Sequence, residues 1–175
     1  MDRADVWLAL TDGGAGLEEF VAVYFPRAQC VLDFYHAAED LGALARALYS
    51  GNEEQAVEVA QSWCHTLKHQ GGAALLAVLE TLDVRGRKAE TRQTYRRALG
   101  YVRNNVHRMG YPCYLADGWL IGSGHMESAY KAVVGQRLTG NGRRWGEEGA
   151  DTVCHLRALF KSERGQWEAF WGNAA

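Results

Sequence analysis

Two apolar runs open the chain, and a helical period governs most of the residues after them. Val6-Trp7-Leu8-Ala9-Leu10 is uninterrupted by polar residues and stops at Thr11-Asp12-Gly13-Gly14, which predicts a buried strand with Asp12 at its C-terminal tip. Leu17 to Tyr24 fits a helix that Pro26 ends, and Cys30-Val31-Leu32 predicts a second buried strand delivering Asp33, with His36 three residues later. Strand, helix and strand in such quick succession imply a parallel pair joined by a helical crossover.

From Tyr35 to Met109 the apolar positions recur at helical spacing. Leu41, Leu44, Ala45 and Leu48 mark one face, Ala56, Val59, Ala60 and Trp63 a second, and Leu75, Leu76, Val78, Leu79 and Leu82 a third. Ser50-Gly51-Asn52 and Gln70-Gly71-Gly72 separate them as turns. Gly110-Tyr111-Pro112 breaks the pattern, and an irregular or hairpin-like piece is expected to lead to Ile121. Two helices, about 126–139 and 147–162, and a Trp167/Phe170/Trp171 cluster close the chain. The fold class expected is α/β, mostly α. It divides into residues 1–36 with two strands and a helix, 37–110 all-helical, and 111–175 with the C-terminal helices.

At 175 residues and 47% hydrophobic, the chain is long enough for one domain with a core and short for two. No apolar run approaches the roughly 20 residues that cross a bilayer, and no basic-then-apolar leader opens the sequence, so a cytoplasmic protein without a membrane partner is expected. Cys30, Cys64, Cys113 and Cys154 lie far apart without a Cys-x-x-Cys pair, and are expected as reduced core residues.

The net charge of −2 conceals an asymmetry. Residues 1–84 hold 4 Lys/Arg against 13 Asp/Glu, a net −9, whereas residues 85–175 hold 15 against 8, a net +7. The basic run Arg85, Arg87, Lys88, Arg92, Arg96, Arg97, Arg103 and Arg108, broken only by Glu90, reads either as a nucleic-acid face or as a solvated helix face.

The chemistry concentrates in Ile121-Gly122-Ser123-Gly124-His125-Met126-Glu127-Ser128-Ala129-Tyr130-Lys131, continuing to Gln136-Arg137-Leu138 and Arg143-Arg144-Trp145. A carboxylate behind a glycine-flanked turn at a helix start, with cations following, suits a metal held beside a phosphate. Each residue also has a plainer reading. Asp12 can be a turn residue, Asp33 a helix cap, and Glu127 a surface acid. His65 and His69 have zinc spacing on a helix but no clear third ligand. Trp119, Trp145, Trp167 and Trp171 suit a core as well as base stacking, and only Trp145 adjoins two arginines.

Four ordered blocks, namely Asp12-Gly13, Phe25-Pro26 with Leu32-Asp33-Phe34-Tyr35-His36, Tyr101 to Tyr111 with Arg103-Asn104-Asn105 and His107-Arg108, and Ile121 to Trp145, resemble the C-terminal half of an insertion-sequence DDE transposase of the ISKra type. That family is related distantly to Mutator-like transposases. The resemblance spans nearly the whole chain. It implies the C-terminal part of a ribonuclease H-like fold, with an all-helical insertion between the second Asp and the Glu. Residues 1–36 would then be a partial core, 37–110 the insertion, and 111–175 the helices that complete the core.

By that resemblance Asp12 matches the second Asp of the triad and Glu127 the closing Glu, together ligating Mg²⁺ or Mn²⁺, while Asp33 and His36 match an accessory pair. Arg103, Arg108, Lys131, Arg137, Arg143 and Arg144 would be phosphate contacts, with Arg96, Arg97 and Trp145 completing the DNA surface. The implied activity is two-metal hydrolysis and strand transfer at transposon ends in a nucleoid-associated protein.

The family's first Asp lies on the first sheet strand, and only five residues precede Val6. That strand and its Asp are therefore expected to be missing, with the Asp12 strand left as an open edge. The expectation is a truncated transposase, inactive alone, that self-associates or is completed in trans. The alternatives are one subunit of a split active transposase, or a non-catalytic protein that binds DNA or intact transposase.

Overall fold

The computed structural model describes residues 6–140, 142–162 and 165–172. The chain is a mostly helical α/β protein with a small parallel sheet, and it divides into two compact units, one ending at Ser123 and one beginning at Gly124.

In the first unit β1 (Trp7–Thr11) leads to α1 (Leu17–Tyr24) and β2 (Ala28–Leu32), and the strands pair in parallel with Thr11 opposite Leu32. Both strands and the crossover helix thus form where the apolar runs predict them. Among the described residues the sheet has no third strand, so the outer edge of β1 carries unpaired backbone groups. α1 also leaves much of its apolar surface exposed. Phe20 and Tyr24 meet in a tilted contact, ring centroids 4.6 Å apart, with Phe25 alongside, all three exposed.

α2 (Phe34–Leu48) begins where the Asp33 carboxylate accepts the Tyr35 N–H, and it buries Leu41, Leu44, Ala45 and Leu48. α3 (Glu53–Gln70) is capped by Asn52, with Glu53 and Glu54 in its first turn and Lys68 in its last, each sign matched to the helix dipole. It ends at Gly71, whose φ of 86° only glycine adopts cheaply. α4 (Gly72–Glu80) and α5 (Ala89–Asn105) add Leu75, Leu79, Ala98 and Val102 to one core, with α2 packed on α3 and α5.

A 3₁₀ turn (Val106–Arg108) then leads to α6 (Tyr111–Ala116). Here the structure differs from the irregular piece expected. Pro112 occupies the first turn of a short helix, where its missing N–H costs nothing. Tyr111 is fully buried and donates to the Leu32 carbonyl at 2.9 Å. Residues 111–123 belong to the first compact unit.

The second unit contains α7 (Gly124–Tyr130), a π-helical stretch (Lys131–Gly135), α8 (Gln136–Leu138), α9 (Glu147–Lys161) and α10 (Gln166–Gly172). The first three make the single helix expected over 126–139, with a widened turn in its middle. Arg157 on α9 donates to the Ala132 and Val133 carbonyls and to Gln136 Oε1, supplying donors where the π turn loosens the backbone ladder. No described side chain of this unit is fully buried, unlike those of the first.

No helix of the described residues is long and apolar enough to cross a membrane. All four cysteines are free as expected; Cys64 packs against the core, whereas Cys113 is exposed and Cys30 and Cys154 are half-buried outside it.

Candidate functional site

The carboxyl ends of the two strands put Asp12 and Asp33 side by side in the chain's sheet, since Thr11 and Leu32 are register partners. Ligands of open α/β sheets bind at this end. Asp12 is exposed, and its Oδ1 accepts the Gly14 N–H at 2.9 Å in a tight local turn. Gly13 inside that turn has φ of 81°, and a Cβ there would meet Leu32 Cδ1 and Tyr101 Cε2 at 3.0 Å. Both the backbone and the space demand glycine.

The turn is braced from behind by the end of α5 and the 3₁₀ turn. The Tyr101 hydroxyl donates to the Asp12 carbonyl at 2.9 Å. Burial, with the charges of Asp40 and Asp12 adding, pushes the Tyr101 pKa up to about 12, so the phenol stays a donor at neutral pH. Arg108 Nη1 donates to Thr11 Oγ1 at 2.9 Å, Nη2 donates to Asn105 Oδ1, and Nε lies 3.5 Å from Glu18 Oε2. His107 Nε2 meets Glu18 Oε1 at 2.7 Å.

Asp33 is 3% exposed, and both its oxygens are engaged: Oδ1 by the Tyr35 N–H at 2.8 Å and Oδ2 by the Ser123 N–H at 2.7 Å. Beside it the Phe34 N–H donates to the Ile121 carbonyl at 2.8 Å. Burial alone would raise the Asp33 pKa, but the Ser123 hydroxyl and N–H, with the Tyr35 and His36 N–H groups, outweigh it and hold the carboxyl below its ordinary value. A depressed folded pKa stabilises the fold at pH above the ordinary 3.8 and loses that contribution as pH falls through the lower folded value. Urea unfolding followed over acid pH is accordingly expected to show a stability loss in that window that Asp33→Asn lacks. An equal acid slope in both proteins would exclude this role. His36 Nδ1 sits 3.9 Å from Asp33 Oδ1, beyond hydrogen-bond reach, and has no hydrogen-bond partner among the described residues.

Of the expected site residues, Asp12, Asp33 and His36 thus share one end of the sheet in the first unit. Glu127 stands in the first turn of α7 in the second unit, together with Lys131, Arg137, Arg143, Arg144 and Trp145. Lys131, Arg137, Arg144 and Trp145 are exposed. Arg143 is exposed too, but Nη1 closes the end of α8 by donating to the Gln136 and Arg137 carbonyls at 2.6 and 2.9 Å.

Arg96, Arg97 and Arg103 lie exposed on α5. Arg97 pairs with Asp40 and Arg103 with Glu80, each at 2.8 Å, and such surface pairs hold their partners by only about 0–1 kcal/mol. Arg108 requires a correction. At 4% exposure its guanidinium is spent inside the fold, so it cannot also be a phosphate contact. His65 and His69 are both exposed neighbours with ring centroids 4.4 Å apart.

Among the described residues no group of three or more His, Cys, Asp or Glu could hold a metal ion. Magnesium needs near-octahedral oxygen ligation, and among the described residues of the first unit Asp12 is the one open carboxylate at the tip of these strands. The donor set does not by itself fit a two-metal centre.

Sequence patterning identifies neither Glu18 as a partner of His107 and Arg108 nor Arg157 as the side chain that completes the π turn, and it does not show that Thr11 and Ser123 engage Arg108 and Asp33. Nothing in their local spacing distinguishes them, since their partners lie far along the chain. No family model, curated protein or solved structure matches the chain.

Proposed function

We propose that this chain is the C-terminal catalytic-core portion of an ISKra-type DDE transposase with a ribonuclease H-like core, whose part in DNA transposition is to bind DNA and contribute Asp12 and Glu127 to a metal-dependent centre. The observation that supports this reading is the convergence of sequence blocks far apart in the chain. The Asp12 turn is held by Tyr101 and by Arg108 through Thr11, Asp33 N–H donates to the Thr11 carbonyl, and Phe34 N–H donates to the Ile121 carbonyl, all within the first unit. A turn braced so heavily around one exposed carboxylate suits a group that must be held still for chemistry. The helices from α2 to α5 would be the insertion between the second Asp and the Glu.

In this reading Asp12 and Glu127 would each be offered as a carboxylate ligand for Mg²⁺ or Mn²⁺, whose Lewis acidity would supply the phosphoryl-transfer chemistry in an assembly that adds the further ligands. The chain's own residues do the rest: Tyr101 and Arg108 fix the Asp12 turn, and Arg96, Lys131, Arg137 and Arg144 attract the DNA backbone. DNA binding without cleavage is the expected behaviour of the isolated chain.

A second reading, in which the chain is one subunit of an active assembly, is favoured by the open β1 edge and the exposed Phe20, Tyr24 and Phe25. The deciding experiment is divalent-metal-dependent cleavage of labelled transposon-end DNA by the purified chain, beside Asp12→Ala and Glu127→Ala. Salt-sensitive binding with no cleavage is expected. Cleavage abolished by either substitution would mean a complete active site in this chain, and an absence of DNA binding at any salt would overturn the proposal.

A further inference from the structure

The second unit leaves an apolar cleft of about 390 Å³ open on its surface, lined by Arg137, Trp145, Val153, Leu156, Phe160 and Trp167, with Arg157 forming part of its wall. Val153, Leu156, Phe160 and Arg157 recur on one face of α9 at helical spacing. Trp167 of α10 meets Phe160 edge to face at 5.4 Å, which fixes one side. Trp145, from the segment before α9, and Phe160 remain 42% and 60% exposed, so two aromatic rings that ordinary packing would cover are left available.

The cations around the cleft divide into two kinds. Arg157 spends its guanidinium on the Ala132 and Val133 carbonyls and on Gln136, and so is part of the wall. Arg137 has no carboxylate partner among the described residues, and Lys161 lies 5.8 Å over the Phe160 ring. Among the described residues no acid lines the cleft. Glu147, Glu148 and Asp151 of α9 line a separate one with Leu138 and Cys154.

Aromatic faces beside the one guanidinium of the lining that is not engaged by the wall, with acids kept to another face, match a ligand that is planar and apolar at one end and anionic at the other. We propose that this cleft receives an unpaired nucleobase of a DNA strand, with its ring against Trp145 and Phe160 and its phosphate on Arg137. Bases stack on such side chains whatever their sequence, because every base has a π-face. The volume falls within the range of small-molecule sites. The cleft would thus hold a frayed or single-stranded end, whereas the remaining cations follow duplex backbone. This rests on the reading of the chain as a DNA-binding transposase core.

The test uses the full chain and labelled duplexes carrying a short single-stranded overhang, either with bases or with abasic residues, followed by fluorescence anisotropy. The overhang with bases is expected to bind about tenfold tighter than the abasic one. Trp145→Ala is expected to remove that difference and Trp145→Phe to keep it, with circular dichroism confirming that both variants fold. Arg137→Gln is expected to weaken binding of the overhang and lower its salt slope by about one. Equal affinity for the two overhangs, with duplex binding intact, would sink the cleft proposal and leave DNA binding standing. No binding to any of these DNAs would remove both.

Discussion

Replacing Arg108 with leucine is expected to destabilise the protein by about 3 kcal/mol, the largest effect of any single polar substitution in the first unit. Arg108 is 4% exposed and serves three partners, namely Thr11, Asn105 and Glu18. Leucine would fill part of the volume but leave Thr11 and Asn105, themselves 8% and 6% exposed, without their charged donor. Two lost charge-assisted bonds to buried oxygens account for most of the cost. Glu18 adds less, since its side chain is 43% exposed and can turn to water.

Lysine in place of Arg108 keeps the charge but not the planar fork, and should recover only a minor part. Urea denaturation of the full chain measures this directly: the midpoint falls while the slope is unchanged. A loss below about 1 kcal/mol would mean that the brace behind the Asp12 turn is dispensable.

The second large effect is expected at Gly72, where alanine should cost about 2 kcal/mol despite its higher helix propensity. A Cβ on Gly72 would stand 2.6 Å from Met109 Cβ and 3.0 Å from its sulfur. Met109 is completely buried, and its carbonyl accepts the Gly72 N–H at 3.0 Å, so neither backbone can retreat without breaking that bond. The start of α4 would be levered off the 3₁₀ turn that carries Arg108.

Met109→Ala should not rescue the variant, because the clash is with the Cβ that alanine retains. Gly100→Ala is the matching control. It lies inside α5 with nothing within 4 Å of its would-be Cβ, and should stabilise by up to about 1 kcal/mol. The two alanines should therefore shift the melting temperature in opposite directions. A shift of the same sign in both would show that propensity, not packing, governs Gly72.

Much of the fold was legible in the sequence. Apolar runs without polar alternation located β1 and β2, and the helix between them has the expected bounds of Leu17–Tyr24. Helical spacing located α2, α3 and α4, and the glycine turns between them fell where expected. Asp12 at a strand tip was legible for the same reason: a short buried run has one end, and Asp-Gly-Gly marks it. The segment after Gly110 is misread when Pro112 is treated as a breaker, because proline in a first helical turn starts a helix as readily as it stops one.

The candidate site was legible only in part. Residues 85–108 read as a continuous basic run, but in three dimensions acids from the earlier half of the chain answer some of it, Asp40 at Arg97 and Glu80 at Arg103. Arg108 belongs to the same run and is interior.

The sequence by itself determined the local elements, their order, the parallel sense of the strand pair and the cation-rich stretch from Lys131 to Trp145. Only the tertiary structure decided which cations face outward, what braces the Asp12 turn, and that α9 and α10 leave an aromatic cleft open. The reason is physical. Hydrophobic period reports spacing over a few residues, whereas the environment of Arg108 is set by Thr11, 97 positions away, and that of Tyr101 by Asp12, 89 positions away. Whether a charge is paired, buried or free depends on which distant segments the core brings beside it, and no local pattern carries that information.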